Sequence, residues 1–329
     1  MKPELVCPAG TPTALRAAIE AGADAVYCGF RDETNARNFP GLNFSPKELE
    51  DSVRFAHRNK AKVLVAINTF ARPGGADLWR SAIDRAAAAG ADAVILADLG
   101  LLEYAARHHP DLRLHLSVQA AAATPEAIDF YVSAFSVKRV VLPRVLSVEE
   151  IATLQRAIGV ETEAFVFGGL CPMAEGRCSL SSYATGRSPN LSGVCSPPEH
   201  VRYQDGPQGC SATLAGFTID RFPIGEQPGY PTLCKGRFLI EDKAGYWFED
   251  PVSLNASELV DQLIRAGVSA LKIEGRQRGR AYVTKVVKAF RNLVDALSSG
   301  AGIRPTAEAL SGLVEGGRQT TGAYRKQWK

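Results

Sequence analysis

Seven cysteines occur in 329 residues, and four of them (Cys171, Cys178, Cys195 and Cys234) fall in one stretch rich in Gly, Pro, Ser and Arg. Four thiolates brought together make an iron–sulfur or a zinc site. The spacing Cys-x6-Cys-x16-Cys-x38-Cys holds no Cys-x2-Cys knuckle, so the fold rather than a local loop must gather them. Nearby glycines leave backbone N–H groups free to approach cluster sulfurs, and nearby cations offset thiolate charge. An iron–sulfur cluster is therefore expected ahead of structural zinc. Cys7 and Cys28 end apolar runs and read as buried small residues that also face the barrel mouth described below; Cys210 reads as a bystander in a polar loop.

A second set of chemistry-bearing residues closes apolar runs: Asn68, Asp98, Ser117, Gln119, Arg144, Glu274 and Arg276, with Arg31 and Arg37 in a loop beyond another. Arg37, Asn68, Gln119, Arg144, Glu274 and Arg276 are the candidate substrate contacts. A guanidinium beside a buried cleft meets an anion, and a dicarboxylate would suit such a rim. Ion pairing with Glu33, Glu175 or Glu274 is the competing role for the arginines, and helix capping for Asp98. The five histidines form no His-Glu-x-x-His and no nucleophile–base pair. His57, His108 and His109 read as helix-surface residues, His115 as a hydrogen-bonded core residue, and His200 as a neighbour of the cysteines.

The elements that position these residues are legible from a repeated phrase. Ala21-Gly22-Ala23-Asp24-Ala25-Val26 returns as Ala89-Gly90-Ala91-Asp92-Ala93-Val94, with an echo at Ala266-Gly267-Val268-Ser269-Ala270-Leu271. In each copy glycine ends a helical stretch and a strand begins. Eight strands are expected, at 4–7, 25–28, 62–68, 93–97, 113–118, 139–142, 163–167 and 270–274, with helices between them. Continuous apolar character suits strands buried on both faces. The expected fold is an α/β (β/α)8 TIM-like barrel with a cysteine-containing insertion after strand 7. A doubly wound sheet is disfavoured, since no Gly-x-Gly-x-x-Gly follows the first strand. The boundaries expected are 1–169 and 252–299 for the barrel, 170–251 for the cluster-binding insertion, and 300–329 for a tail read as a helix plus a polar end. Loops after strands lie at the C-terminal face of a barrel, so the insertion would carry the cysteines to its mouth.

Composition bounds the function. With 46% apolar and 22% charged residues the chain is globular, and its net charge of +3 does not suggest a general nucleic-acid binder. No apolar run is long enough for a membrane span, and the first residues lack the apolar core of a signal peptide, so a cytoplasmic, thiol-reducing location is expected.

The run Glu163-x-Phe165-x-x-Gly168-Gly169-Leu170-Cys171-x4-Gly176-x-Cys178-x-Leu180-Ser181 resembles the signature of the collagenase-like, unclassified peptidase family, with Gly169 where Ser or Ala is usual. The runs 32–39, 41–44, 180–183, 229–237, 272–277 and 320–324 resemble the ubiquinone-biosynthesis members of that family, and the likeness covers nearly the whole chain. The resemblance implies a 4Fe-4S cluster on Cys171, Cys178, Cys195 and Cys234. It implies a heterodimer with a UbiV-like paralogue, a UbiT-like lipid-binding protein, and hydroxylation of a quinone precursor's ring without oxygen. It also implies prephenate as an oxygen source, as in members that hydroxylate RNA bases. The early cysteine and Cys-x3-Cys pair of the paralogue are absent here. An RNA-base hydroxylation factor and a zinc-stapled, non-catalytic scaffold are the alternatives.

Overall fold

The computed structural model describes residues 2–171, 173, 178–300, 310–314 and 318–325. Eight parallel strands close into a barrel: β1 (Glu4–Pro8), β2 (Ala25–Cys28), β3 (Lys62–Ile67), β4 (Ala93–Leu96), β5 (Arg113–Leu116), β6 (Arg139–Val141), β7 (Glu161–Gly169) and β8 (Ala270–Ile273). Each pairs with its sequence neighbour except across one joint: β8 pairs with both β7 and β1, and this closes the ring. A helix follows each of the first six strands, helix Val260–Arg265 precedes β8, and the long helix Arg280–Ser298 follows it. This is the (β/α)8 barrel that the strand count predicts.

The repeated phrase has a physical origin. Gly22, Gly90 and Gly267 sit at φ of 105°, 76° and 94°, where a side chain would be strained. The Asp that follows in the first two copies then pins a neighbouring strand. Asp24 Oδ2 accepts from Leu5 N at 2.7 Å, and Asp92 Oδ2 accepts from Val63 N at 2.7 Å. The motif thus ends a helix and fixes strand register in one step. Helix starts are equally local: Ser45 with Glu48, and Ser147 with Glu150, form reciprocal capping boxes, and Asp98 caps helix Leu99–His108 through Leu101 N at 3.1 Å.

Two apolar layers result. The larger lies between barrel and helices and includes Leu5, Val26, Val65, Trp79 and Phe290. The smaller fills the barrel interior with Val6, Ala25, Tyr27, Leu64, Ala66, Ala93, Ile95 and Ala270. Cys7 and Cys28 are fully buried in the outer layer. They face the helices, not the mouth, which corrects the expectation from strand ends alone: side chains alternate along a strand, and these two have the outward parity.

The segment between β7 and β8 carries helix Ser179–Thr185, a three-stranded antiparallel sheet (Val201–Gly206, Gly209–Leu214, Phe217–Phe222) and a two-stranded one (Arg237–Ile240, Lys243–Tyr246). Cys210 lies in a strand of the first sheet rather than in a loop. Strand Val252–Asn255 runs antiparallel to the upper end of β7, and Arg318–Thr320 pairs with it in parallel. The tail's expected helix falls largely on residues outside those described. Its described part returns to the barrel, where buried Tyr324 donates its hydroxyl to Phe165 O at 2.6 Å. Among the described residues no helix is long and apolar enough to cross a membrane.

Candidate functional site at the barrel mouth

A cavity of about 140 Å³ opens at the C-terminal end of the strands. Cys171, Cys178, Cys195 and Cys234 of the insertion line it, and so do Arg37, Asn68, Gln119, Arg144, Glu274 and Arg276. Residues spread over more than two hundred positions therefore share one space. Asp98 and Arg31 do not line it. Arg31 is half exposed and pairs with Glu48 at 2.6 Å, which corrects its expected place in the basic rim. Glu33 pairs with Arg72 at 2.9 Å instead of with a rim arginine, and Glu175 lies outside the described residues, as do Gly176 and Arg177.

The barrel side of the cavity is held by short polar contacts. Asn35, fully buried in the loop after β2, donates to Phe30 O at 2.6 Å. Its Oδ1 accepts from Arg37 N at 3.0 Å and from Arg276 Nη1 at 3.1 Å. One amide thus sets both arginines, a role that sequence reasoning missed. Gly29 is what lets the pair close, because a Cβ there would sit 2.7 Å from Asn35 and 2.8 Å from Arg276 Nη1. Arg37 Nε meets Glu274 Oε1 at 3.2 Å, so the competing ion-pair role holds for this residue. Burial opposes the charge on Arg37, but Glu274 and the thiols of Cys195 and Cys171 more than offset it and raise its pKa. Arg276, only 3% exposed, is pushed down to about 10 by burial, with Tyr27 and Glu274 acting against Arg37.

Asn68 accepts from Ala36 N at 3.0 Å and donates to Ser117 Oγ at 3.3 Å. Ser117 caps the single turn Val118–Ala120 that presents Gln119, whose Oε1 is buried without a partner among the described residues. The Arg144 guanidinium lies 3.9 Å from the centre of the Phe165 ring. Gly168 has φ +118°, and a Cβ there would come within 2.4 Å of Glu274 O. Gly168→Ala is therefore expected to displace Glu274 and cost about 1–3 kcal/mol, read as a lower denaturant midpoint.

The insertion closes the other side. Ser196 donates to Pro231 O at 2.5 Å and Tyr230 donates to Ser196 O, tying the Cys195 loop to the Cys234 loop. Gly193, at φ +83°, lets that loop pass Asn35 O, where a Cβ would sit 2.3 Å away. Cys178 precedes helix Ser179–Thr185, Cys234 lies in the turn Leu233–Lys235, and Cys171 is exposed beyond β7. The thiols sense one another. Burial pushes Cys195 up to about 11, Arg37 opposes this, and Cys171, Cys178 and Cys234 add to it. Among the described residues no three His, Cys, Asp or Glu side chains are drawn into the shell of one ion. The donor set fits a thiolate-bound cluster chemically: four soft sulfurs face one cavity, with a guanidinium beside two of them.

Beneath the mouth lies a residue the strand pattern concealed. Lys272, 5% exposed, lines the cavity from β8. Its Nζ meets Glu163 Oε1 at 2.5 Å and lies 3.9 Å from the Tyr27 ring centre. Burial lowers its pKa while Glu163 holds it up. Glu163, fully buried, also meets Arg139 Nη1 at 3.4 Å, and Arg139 reaches Glu4 at 2.6 Å and Glu161 at 2.7 Å. His115 is buried, but both ring nitrogens lack a hydrogen-bond partner among the described residues, contrary to expectation. Burial and the cations Arg139, Arg113, Lys272 and Lys62 hold its pKa well below the ordinary value. No histidine lines the cavity among the described residues.

Fold and site define a (β/α)8 barrel whose mouth is capped by a cysteine-bearing insertion. The chain belongs to peptidase family U32, whose pattern matches residues 10–321. It is 32% identical to the tRNA hydroxylation protein P of Escherichia coli, over 99% of this chain and 75% of that one. It is also 32% identical to an uncharacterized protease of Methanocaldococcus jannaschii, over 90% of this chain and 66% of that one. A third relative, the 23S rRNA 5-hydroxycytidine C2501 synthase of Escherichia coli, is 32% identical over 95% of this chain and 42% of its own. The chain thus spans about two fifths to three quarters of the length of these relatives.

Proposed function

We propose that this chain is a UbiU-like iron–sulfur protein that supports oxygen-independent hydroxylation of the aromatic ring in ubiquinone biosynthesis. It would act in the cytoplasm with a UbiV-like paralogue as heterodimer partner, the quinone precursor being delivered by a UbiT-like lipid-binding protein. The observation that carries the reading is the one cavity shared by four cysteines and six polar residues from strand ends and the loop after β2. Relatives named for hydroxylation of tRNA and rRNA support the reaction class. The ubiquinone-type runs favour a quinone over an RNA base, and a net charge of +3 offers little surplus for phosphates.

A 4Fe-4S cluster on Cys171, Cys178, Cys195 and Cys234 would supply electron transfer beside the cavity. The chain's own residues do the rest. Arg37 offsets thiolate charge and is held by Glu274. Arg144 and Arg276 face the carboxylates of a small anion such as prephenate. Gln119 Oε1 accepts from a ligand hydroxyl, and Asn68 keeps the loop after β2 over the site. Arg144→Gln and Arg276→Gln are expected to leave iron content unchanged and to lower hydroxylation about a hundredfold through lost positioning. Product formation in oxygen-free extracts checks this.

The reading is tested by deleting the gene, growing the cells without oxygen, and quantifying ubiquinone together with hydroxylated nucleosides of tRNA and rRNA. Loss of ubiquinone with unchanged nucleosides is expected. The reverse pattern would assign the chain to RNA, and no change in either would sink both readings.

A further inference from the structure

We infer that Lys272 is a ligand-binding, specificity-determining residue of the mouth cavity, taking one carboxylate of a small organic dianion whose other carboxylate meets the rim arginines. The inference rests on the anion site proposed above and adds the floor to it.

The layer of strand side chains beneath the mouth is apolar except at one place. Tyr27, Ala66, Ile95, Val141 and Phe165 line the cavity there, and Lys272 is the charged group among them. A buried ion pair is costly to desolvate, and well-packed apolar residues in its place are often neutral or better. The Lys272–Glu163 pair is therefore not explained by stability. Its geometry points to a ligand. An ammonium has three donors. One goes to Glu163 Oε1 at 2.5 Å, and Nζ otherwise rests 3.9 Å from the Tyr27 ring centre. The Tyr27 hydroxyl is already used, donating to Ile273 O at 3.0 Å, so it offers Lys272 a π face rather than an acceptor. Glu163 is shared with Arg139 and does not line the cavity, so it anchors the ammonium without covering it.

Glu274 and Arg276 stand two and four residues beyond Lys272 on the same chain segment, with Glu274 committed to Arg37. Arg276 Nε is buried without a partner among the described residues. The cavity thus offers one cation at the floor, guanidinium groups at the rim, and an apolar wall between them. That is the complement of an organic dianion with an apolar body, and it discriminates against a monoanion or a neutral ring, which would leave one end unmatched.

Calorimetric titration of the oxygen-free, cluster-loaded protein with prephenate tests the inference. Lys272→Met should weaken binding about tenfold or more, with iron content unchanged. Glu163→Gln, which frees the ammonium of its competing carboxylate, should bind as tightly as wild type or more tightly. The double variant Lys272→Met/Glu163→Gln, which leaves no unpaired carboxylate, should be as weak as Lys272→Met. A merely structural pair would make both single variants weak alike, and that result would overturn the inference, as would wild-type affinity in Lys272→Met. Wild-type protein that fails to bind prephenate would overturn the anion site and this inference together, whereas binding that ignores Lys272 would overturn only the latter.

Discussion

Replacing Cys171 or Cys234 with alanine is expected to strip the protein of its iron, and the same should hold for Cys178 and Cys195. The four thiols line one cavity, and a 4Fe-4S cluster held there would lose one of its four ligands in each variant. Alanine at Cys7, Cys28 or Cys210 should leave iron and sulfide unchanged, because the first two are buried under the helices and the third lies in a strand away from the cavity. Iron and acid-labile sulfide per chain, measured after oxygen-free purification, check both halves. Full iron in the Cys171 and Cys234 variants would reject the ligand assignment.

The second large effect concerns Glu163. Alanine there is expected to destabilise the fold by about 3–5 kcal/mol, the cost of leaving a buried charge without its partner. Glu163 is fully buried and serves Lys272 at 2.5 Å and Arg139 at 3.4 Å. Arg139 keeps Glu4 and Glu161, but the described ion pairs give Lys272 no second carboxylate. Glu163→Gln keeps an acceptor for both cations and should cost much less. Urea unfolding of the two variants, compared at constant slope, reads the difference. Equal midpoints for wild type and Glu163→Ala would mean that water reaches Lys272 from the mouth and solvates it there.

How far the sequence carries depends on what each residue's pattern can encode. The strands were legible because continuous apolar runs bounded by glycine have one reading in an alternating α/β chain, and the Gly–Ala–Asp phrase marks the helix-to-strand joint chemically. The rim residues were legible because they are polar groups ending apolar runs. Parity was not legible. Both faces of a barrel strand are buried, so hydrophobic contrast does not say which side points inward. Strand-end position alone therefore puts Cys7 and Cys28 at the mouth, and Lys272, between Leu271 and Ile273, does not stand out as a floor residue. Arg31 and Arg37 are indistinguishable by position in their loop; only the fold puts Glu48 beside one and Glu274 beside the other. Asn35 is invisible as an organiser in the sequence because one of its two arginine contacts lies two residues on and the other 241 residues on.

Thiols, guanidinium groups and a buried lysine converge at this mouth, and no histidine stands with them among the described residues. The measurement that tests the central claim most directly is the metal content of the wild-type chain isolated without air. The account predicts a brown protein with about four iron and four sulfide per chain, lost together on exposure to oxygen. A colourless protein carrying about one zinc per chain would contradict it.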